Sequence, residues 1–220
     1  MKKSGKRTLV IGIMLIIAFA VWTILIQMVD VQQVGLNGTD IGLATFNCWF
    51  HKLTGTNMPL YIITDWLGIV PLVICMIFAT IGLIQLIKRR SLLQVDYDII
   101  ILGIYYILVM LGYFVFEMIP INYRPVFING HMEASYPSST TLVVLSVMPT
   151  LIFQCNRRIK NAWVKIVINI VSIIFSAFMV IGRLLSGVHW ITDIIGSIIL
   201  SAGLFLIYKA VVLLCAKKEN

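Results

Sequence analysis

Charge is scarce in this chain: 12% of its 220 residues are Asp, Glu, Lys or Arg, while 60% are hydrophobic. Soluble domains carry roughly 25% charged residues, so a surface that faces water on all sides is excluded, and the mean hydropathy of +1.00 agrees. Cysteine is thin as well. Cys48, Cys75, Cys155 and Cys215 include no CxxC pair, which leaves no sign of a disulfide framework or a zinc site. The sequence has no internal repeat, no low-complexity tract and no linker long enough to separate independent folding units, so one domain over residues 1–220 is expected. It also lacks the strict period-two alternation of a membrane β-barrel.

Long apolar runs are what the chain does have. A helix needs about 20 mostly apolar residues to cross a bilayer, and it satisfies its own backbone polar groups there. Six such runs are present: Leu9 to Met28, Leu60 to Ile87, Ile99 to Ile119, Thr140 to Phe153, Val164 to Ile181 and Trp190 to Leu214. The fourth is short, and its helix is expected to start near Pro137. The expected fold class is all-α, a six-helix transmembrane bundle. The first run follows a basic tail, as in a signal peptide, but it is longer than an ordinary signal core and no small-x-small cleavage site follows it. A retained first helix is expected.

Basic residues give the orientation. Lys2, Lys3, Lys6 and Arg7 precede the first span, Lys88, Arg89 and Arg90 follow the second, and Arg157, Arg158, Lys160 and Lys165 follow the fourth. Lys209, Lys217 and Lys218 end the sixth, which leaves only Lys52, Arg124 and Arg183 on the other face. The positive-inside rule puts both termini in the cytoplasm. The formal net charge of +8 is thereby explained by topology and anionic lipid, so no nucleic-acid partner is expected. Short loops and the absence of a targeting extension suggest a bacterial plasma membrane.

Three segments then face outward. In the first, Phe46, Trp49, Phe50 and Leu53 form one apolar stripe, the pattern of a short helix lying along the membrane surface between helices 1 and 2. It is expected to pack at the interface or to wall the site, with His51 and Lys52 solvated on its polar side. The second segment runs from Glu117 through Arg124, His131 and Glu133 to Pro137, Ser138, Ser139 and Thr140. Its end reads as a helix start, capped near Ser135 or Tyr136 with Pro137 in the first turn. The unpaired N–H groups there make a ready anion site.

The third segment is the turn from Arg183 to His189, and Asp193 follows one helical turn inside the last span. Ionisable groups in membrane spans are costly and mark functional sites by default. Residues four apart share a helix face, so Asp193 is expected to hold the His189 imidazole by a hydrogen bond. Two arginines suit a phosphate group, and an oriented neutral imidazole suits a nucleophile or base. Asp65, at the outer start of the second span, reads as a polar partner.

These residues resemble the phosphatidic acid phosphatase type 2 superfamily of membrane lipid phosphatases, whose signatures are KxxxxxxRP, PSGH and SRxxxxxHxxxD. The chain has ExxxxxxRP from Glu117 to Pro125, PSST from Pro137 to Thr140 and GRxxxxxHxxxD from Gly182 to Asp193, in that order. The resemblance implies that His189 is the nucleophile, forming a phosphohistidine, and that Asp193 orients it. It implies a phosphate clamp from Arg124 and Arg183, oxygens cradled by Ser138, Ser139 and Thr140, no metal or other cofactor, and a membrane lipid phosphate as substrate at an extracytoplasmic site.

Two family positions differ. Glu117 replaces a lysine and would repel a phosphate unless it pairs with Arg124 or points away, and Thr140 replaces the histidine that protonates the leaving group. Either His131 supplies that proton as an auxiliary residue, or the substrate is a diphosphate whose leaving group needs none, such as a polyprenyl diphosphate, or the protein binds lipid phosphates without turning them over. A phosphatase leads these readings. A phosphotransferase shares its first half-reaction, a non-catalytic lipid-phosphate binder is of another class, and a transporter is disfavoured because the ionisable groups gather at one interface, not at the midplane.

Overall fold

The computed structural model describes residues 2–216, and among them the chain forms eight α-helices and no named strand. They are α1 (Lys2–Met28), α2 (Ala44–Thr54), α3 (Met58–Leu67), α4 (Ile69–Arg89), α5 (Tyr97–Met118), α6 (Ser139–Arg158), α7 (Ala162–Leu185) and α8 (Ile191–Cys215). Six helical stretches are long and apolar enough to cross a membrane, with α3 and α4 together making the second. Lys217 and Lys218, two of the charges expected to face the cytoplasm, lie outside the described residues, as does the side chain of Lys2.

The second span is two helices where the hydropathy run reads as one. Pro71 has no N–H to give to a carbonyl one turn back, so the ladder breaks just before it, at Gly68. Asn57 starts α3 by accepting from the Leu60 N–H at 3.0 Å, and Asn161 starts α7 in the same way through the N–H groups of Trp163 and Val164.

The most buried of the spans is α6, against which α4, α5, α7 and α8 all pack. Its inward side is polar: Thr141, Ser146, Thr150 and Gln154 are fully buried, as expected where helices meet in lipid and polar side chains find partners across the interface. Tyr105 donates to the Ser146 carbonyl at 3.0 Å near Pro149, and Gln154 donates to the Tyr208 hydroxyl at 2.7 Å. Along α8 runs α1, antiparallel. Small residues allow their close approach, since a Cβ on Gly12 would lie 3.1 Å from the Gly203 carbonyl oxygen.

At the end of the bundle where α4 and α6 finish and α5 begins, Asp96 binds Arg89 and Arg158, and Asp98 binds Arg158. The opposite end carries α2, the segment 119–138 and the α7–α8 turn. All the site residues expected from the sequence are gathered there.

Candidate functional site

Asp193 sits in the first turn of α8 and caps it, accepting from the Trp190 N–H at 2.9 Å. Arg183 is near the end of α7, and Ser186 and Gly187 make the bend between them, as expected. Gly187 has φ +65, and a Cβ on it would stand 1.8 Å from the Gly55 carbonyl oxygen, so only glycine lets this turn close against the α2–α3 junction. The junction holds it there. The Asn57 N–H donates to the Ser186 carbonyl at 2.9 Å, and His51 Nε2 to the Gly187 carbonyl at 3.0 Å.

His51 is therefore half-buried and structural, not solvated. The reason lies in how α2 packs: Phe46, Trp49 and Leu53 are 40%, 55% and 66% exposed, while Asn47 faces inward and bonds Thr192 of α8. In a chain of this class the apolar stripe turns to lipid and the polar face docks.

The direct His189–Asp193 hydrogen bond does not form, because their nearest atoms are 3.7 Å apart. Ser135 stands between them. Its hydroxyl donates to Asp193 Oδ2 and lies 3.2 Å from His189 Nδ1, and its carbonyl oxygen is 3.1 Å from the same nitrogen. A carbonyl only accepts, so Nδ1 carries the proton and the Nε2 lone pair is free. That Nε2 atom is buried with no partner. Burial, and after it the Arg124 and Arg183 guanidinium groups, hold the His189 pKa well below the usual histidine value, against the Ser135 carbonyl, which raises it. The ring is neutral at pH 7.

Both arginines present unused donors. Arg183 gives Nη2 to Asp65 at 3.0 Å and to the Thr140 hydroxyl at 2.5 Å, while its Nε and Nη1 are buried and unpartnered. Arg124 reaches Glu133 at 3.2 Å through Nη2, and its Nη1 is buried and unpartnered. The Tyr61 ring of α3 lies under both, 4.8 Å from Arg183 and 5.7 Å from Arg124. Asp65 is the polar partner expected of it.

Several neighbours sit otherwise than the sequence suggests. Pro137 precedes the helix and the N-cap is Ser138, since α6 starts at Ser139. Ser138 is fully buried, with its N–H on the Asp193 carbonyl at 3.3 Å and its hydroxyl on Thr141, so it has little to offer a ligand. Ser139 and Thr140 do open onto a cleft beside Arg183. Glu117 is exposed and pairs with no cation among the described residues. Arg124 pairs with Glu133 because the hairpin register, Arg124 N–H to Glu133 carbonyl at 3.1 Å, sets them across from each other. Glu117 instead borders the narrow pocket that His189 lines. His131 is exposed in a tight bridge with Ile128 and lines no pocket with His189.

The cleft beside Arg183 measures about 520 Å³ and opens sideways, lined by Asp65, Ser139, Thr140, Leu72 and Met110. Leu72 and Met110 also line a purely apolar groove between α4 and α5, which shares Cys75, Met76 and Tyr106 with a third cavity reaching Leu86 and Val95. From Ile69 to Leu86 this is about 25 Å of helix.

No curated protein matches this chain. The crystal structure of the first transmembrane PAP2 type phosphatidylglycerolphosphate phosphatase from Bacillus subtilis matches it in fold with a TM-score of 0.66, at 16% identity, over 95% of this chain and 98% of that one. The sequence model of the PAP2 superfamily matches residues 73–216, a range that contains Arg124, Arg183, His189 and Asp193. With the matched range spanning most of the chain, the protein belongs to the PAP2 superfamily.

Proposed function

We propose that the protein is an integral-membrane lipid phosphatase that hydrolyses a lipid diphosphate, best a polyprenyl diphosphate, through a phosphohistidine at His189, on the extracytoplasmic face. One observation carries the reading: His189 Nε2, Arg124 Nη1 and Arg183 Nε and Nη1 are buried without partners at one end of the bundle. Buried donors are rarely left unmade, and guanidinium groups flanking a free imidazole lone pair suit a phosphoryl group in transfer. The sideways cleft, continued by the apolar groove, suits a lipid chain. Positive-inside topology favours the outer face, since the basic ends of α4 and α6 lie away from His189.

In the first step Nε2 bonds to the terminal phosphorus as the bridging P–O bond breaks, and the lipid monophosphate leaves as a stable anion. Ser135 and Asp193 steady the charge that grows at Nδ1. In the second step water attacks the phosphohistidine, releasing inorganic phosphate and returning the Nε2 lone pair. Purified protein given polyprenyl diphosphate, polyprenyl monophosphate and phosphatidic acid tests this by release of inorganic phosphate. The diphosphate is expected to be the best substrate; binding with no release from any lipid would sink the enzyme reading.

Thr140, which the Arg183 Nη2 donor engages, is a poor acid. Restoring a proton donor with Thr140→His is expected to raise phosphate release from the monophosphate at least about tenfold more than from the diphosphate. An equal gain on both lipids counts against a role for the leaving group.

Leu72 stands where the cleft meets the groove. Leu72→Trp is expected to lower kcat/KM for a long-chain lipid about tenfold, with a short-chain soluble analogue changed less than about twofold. A parallel loss on both would mean that the groove does not hold the chain.

The low pKa of His189 fixes the sign of the pH dependence. A depressed pKa keeps the nucleophile neutral as pH falls, so kcat/KM should hold from about pH 8 down to about 6.5 and decline only below that. Removing one flanking cation, as in Arg124→Gln, raises the histidine pKa and moves the acid limb upward. A limb that moves down, or does not move, contradicts the electrostatic part of the proposal.

A further inference from the structure

At the end of the bundle far from His189, a cavity of about 380 Å³ lies between α6 and α8. Ile152, Phe153 and Phe205 form its apolar wall, and Asn156, Arg157 and Lys209 its polar side. Lys209 is the unusual residue. It stands inside the last span, six residues before the end of α8, which is about 9 Å along the axis. It is half-buried and makes no ion pair among the described residues. An unpaired cation that faces a cavity at the basic end of a membrane bundle is placed to receive an anionic headgroup.

Arg157 adds a second positive charge that its neighbours compensate only weakly. Its guanidinium lies 5.5 Å over the Phe153 ring, donates to the Tyr97 hydroxyl at 3.0 Å, and comes no nearer than 3.7 Å to Asp98. Asp98 is already taken by Arg158 at 2.6 Å. No carboxylate lines the cavity. Two cations and an amide thus border a hollow whose wall is aromatic and aliphatic, within reach of the bilayer.

We infer that this cavity holds the phosphate of an anionic phospholipid between Arg157 and Lys209, with an acyl chain against Phe153 and Phe205. Charge complementarity selects the occupant: a zwitterionic headgroup has no net negative charge to set against two cations, and a free phosphate gains nothing from the apolar wall. Basic pockets between helices on the positive side of a membrane protein suit such headgroups. The inference is independent of the chemistry at His189.

The test is native mass spectrometry of the full-length protein in detergent, with added phosphatidylserine, phosphatidylcholine or inorganic phosphate. The parent is expected to keep one phosphatidylserine in preference to phosphatidylcholine, and Lys209→Gln to weaken that retention about fivefold. Lys209→Arg, which keeps the charge, should retain the lipid, and phosphate release from a lipid diphosphate should be equal in all three proteins. Equal retention of the two lipids by the parent, unchanged retention in Lys209→Gln, or displacement of the lipid by millimolar inorganic phosphate would each overturn the inference. Should Lys209→Gln fail to fold, loss of the lipid from Lys209→Arg would overturn it and retention would support it.

Discussion

Replacing His189 by alanine is expected to lower phosphate release from a lipid diphosphate on the order of 10⁴-fold or more, the scale on which removal of a nucleophile is felt. Nothing nearby can stand in. His131 is exposed and borders none of the cavity that His189 lines, and His51 is committed to the Gly187 carbonyl. The loss should fall on kcat, because the Arg124 and Arg183 donors that bind the phosphate remain. Labelling with a substrate carrying a radioactive terminal phosphate gives a second readout: the parent should accumulate an acid-labile phosphoprotein and His189→Ala none. Removing the ring leaves the Ser135 carbonyl without its partner, so folding is checked by size exclusion before activity is compared. Residual release within about tenfold of the parent would remove His189 from the nucleophile's role.

How His189 is held is only partly readable in the sequence. The spacing of Arg183, His189 and Asp193 is local, so nearness in the chain is enough to place the three at one helix mouth, but His189 lies in the turn before α8, where helix periodicity does not govern its contacts. The intervening Ser135 is not readable, because it is brought in by residues far away. Ser135 N–H bonds the Asn122 carbonyl, and the neighbouring Tyr136 hydroxyl lies 2.7 Å from Thr23 of α1. No periodic pattern announces such closure. The same holds for Glu133, whose pairing with Arg124 follows from hairpin register, whereas the family signature draws attention to Glu117.

The six spans are legible for a simpler reason: lipid demands long apolar runs, and nothing else in the chain imitates them. The break at Gly68 is lost inside one such run, since hydropathy is blind to the missing N–H of Pro71. His51 looks solvated in the sequence because a helix lying on a membrane usually turns its polar face to water, whereas here that face docks on the α7–α8 turn. Thr140 shows the opposite limit. Its identity is plain, but only the structure shows its hydroxyl bonded to Arg183 Nη2, which ties the altered second motif to the clamp of the third.

That tie makes Arg183 the more demanding of the two arginines. Its Nη2 is spent on Asp65 and Thr140, its plane rests on Tyr61, and Nε and Nη1 keep unused donors on a plane that these contacts hold in place. A lysine has one compact charge and no planar array of donors, so it either pairs with Asp65 or faces the phosphate. Arg183→Lys is therefore expected to lower kcat/KM by about 10²- to 10³-fold, the effect of losing donors preorganised for a transition state. Arg124 offers a single unpartnered nitrogen, which a lysine can imitate, and Arg124→Lys should lose only about tenfold. Asp65 is 54% exposed, so Arg183→Lys strands no buried carboxylate, and the melting temperature should change little. Asp65→Asn separates holding from binding: with the carboxylate neutralised, a lysine at 183 is released to face the phosphate, and Arg183→Lys should then lose less than it does in the parent. Equal losses for the two arginine variants would mean that the phosphate sits symmetrically between point charges, and the held plane of Arg183 would have no special part in the reaction.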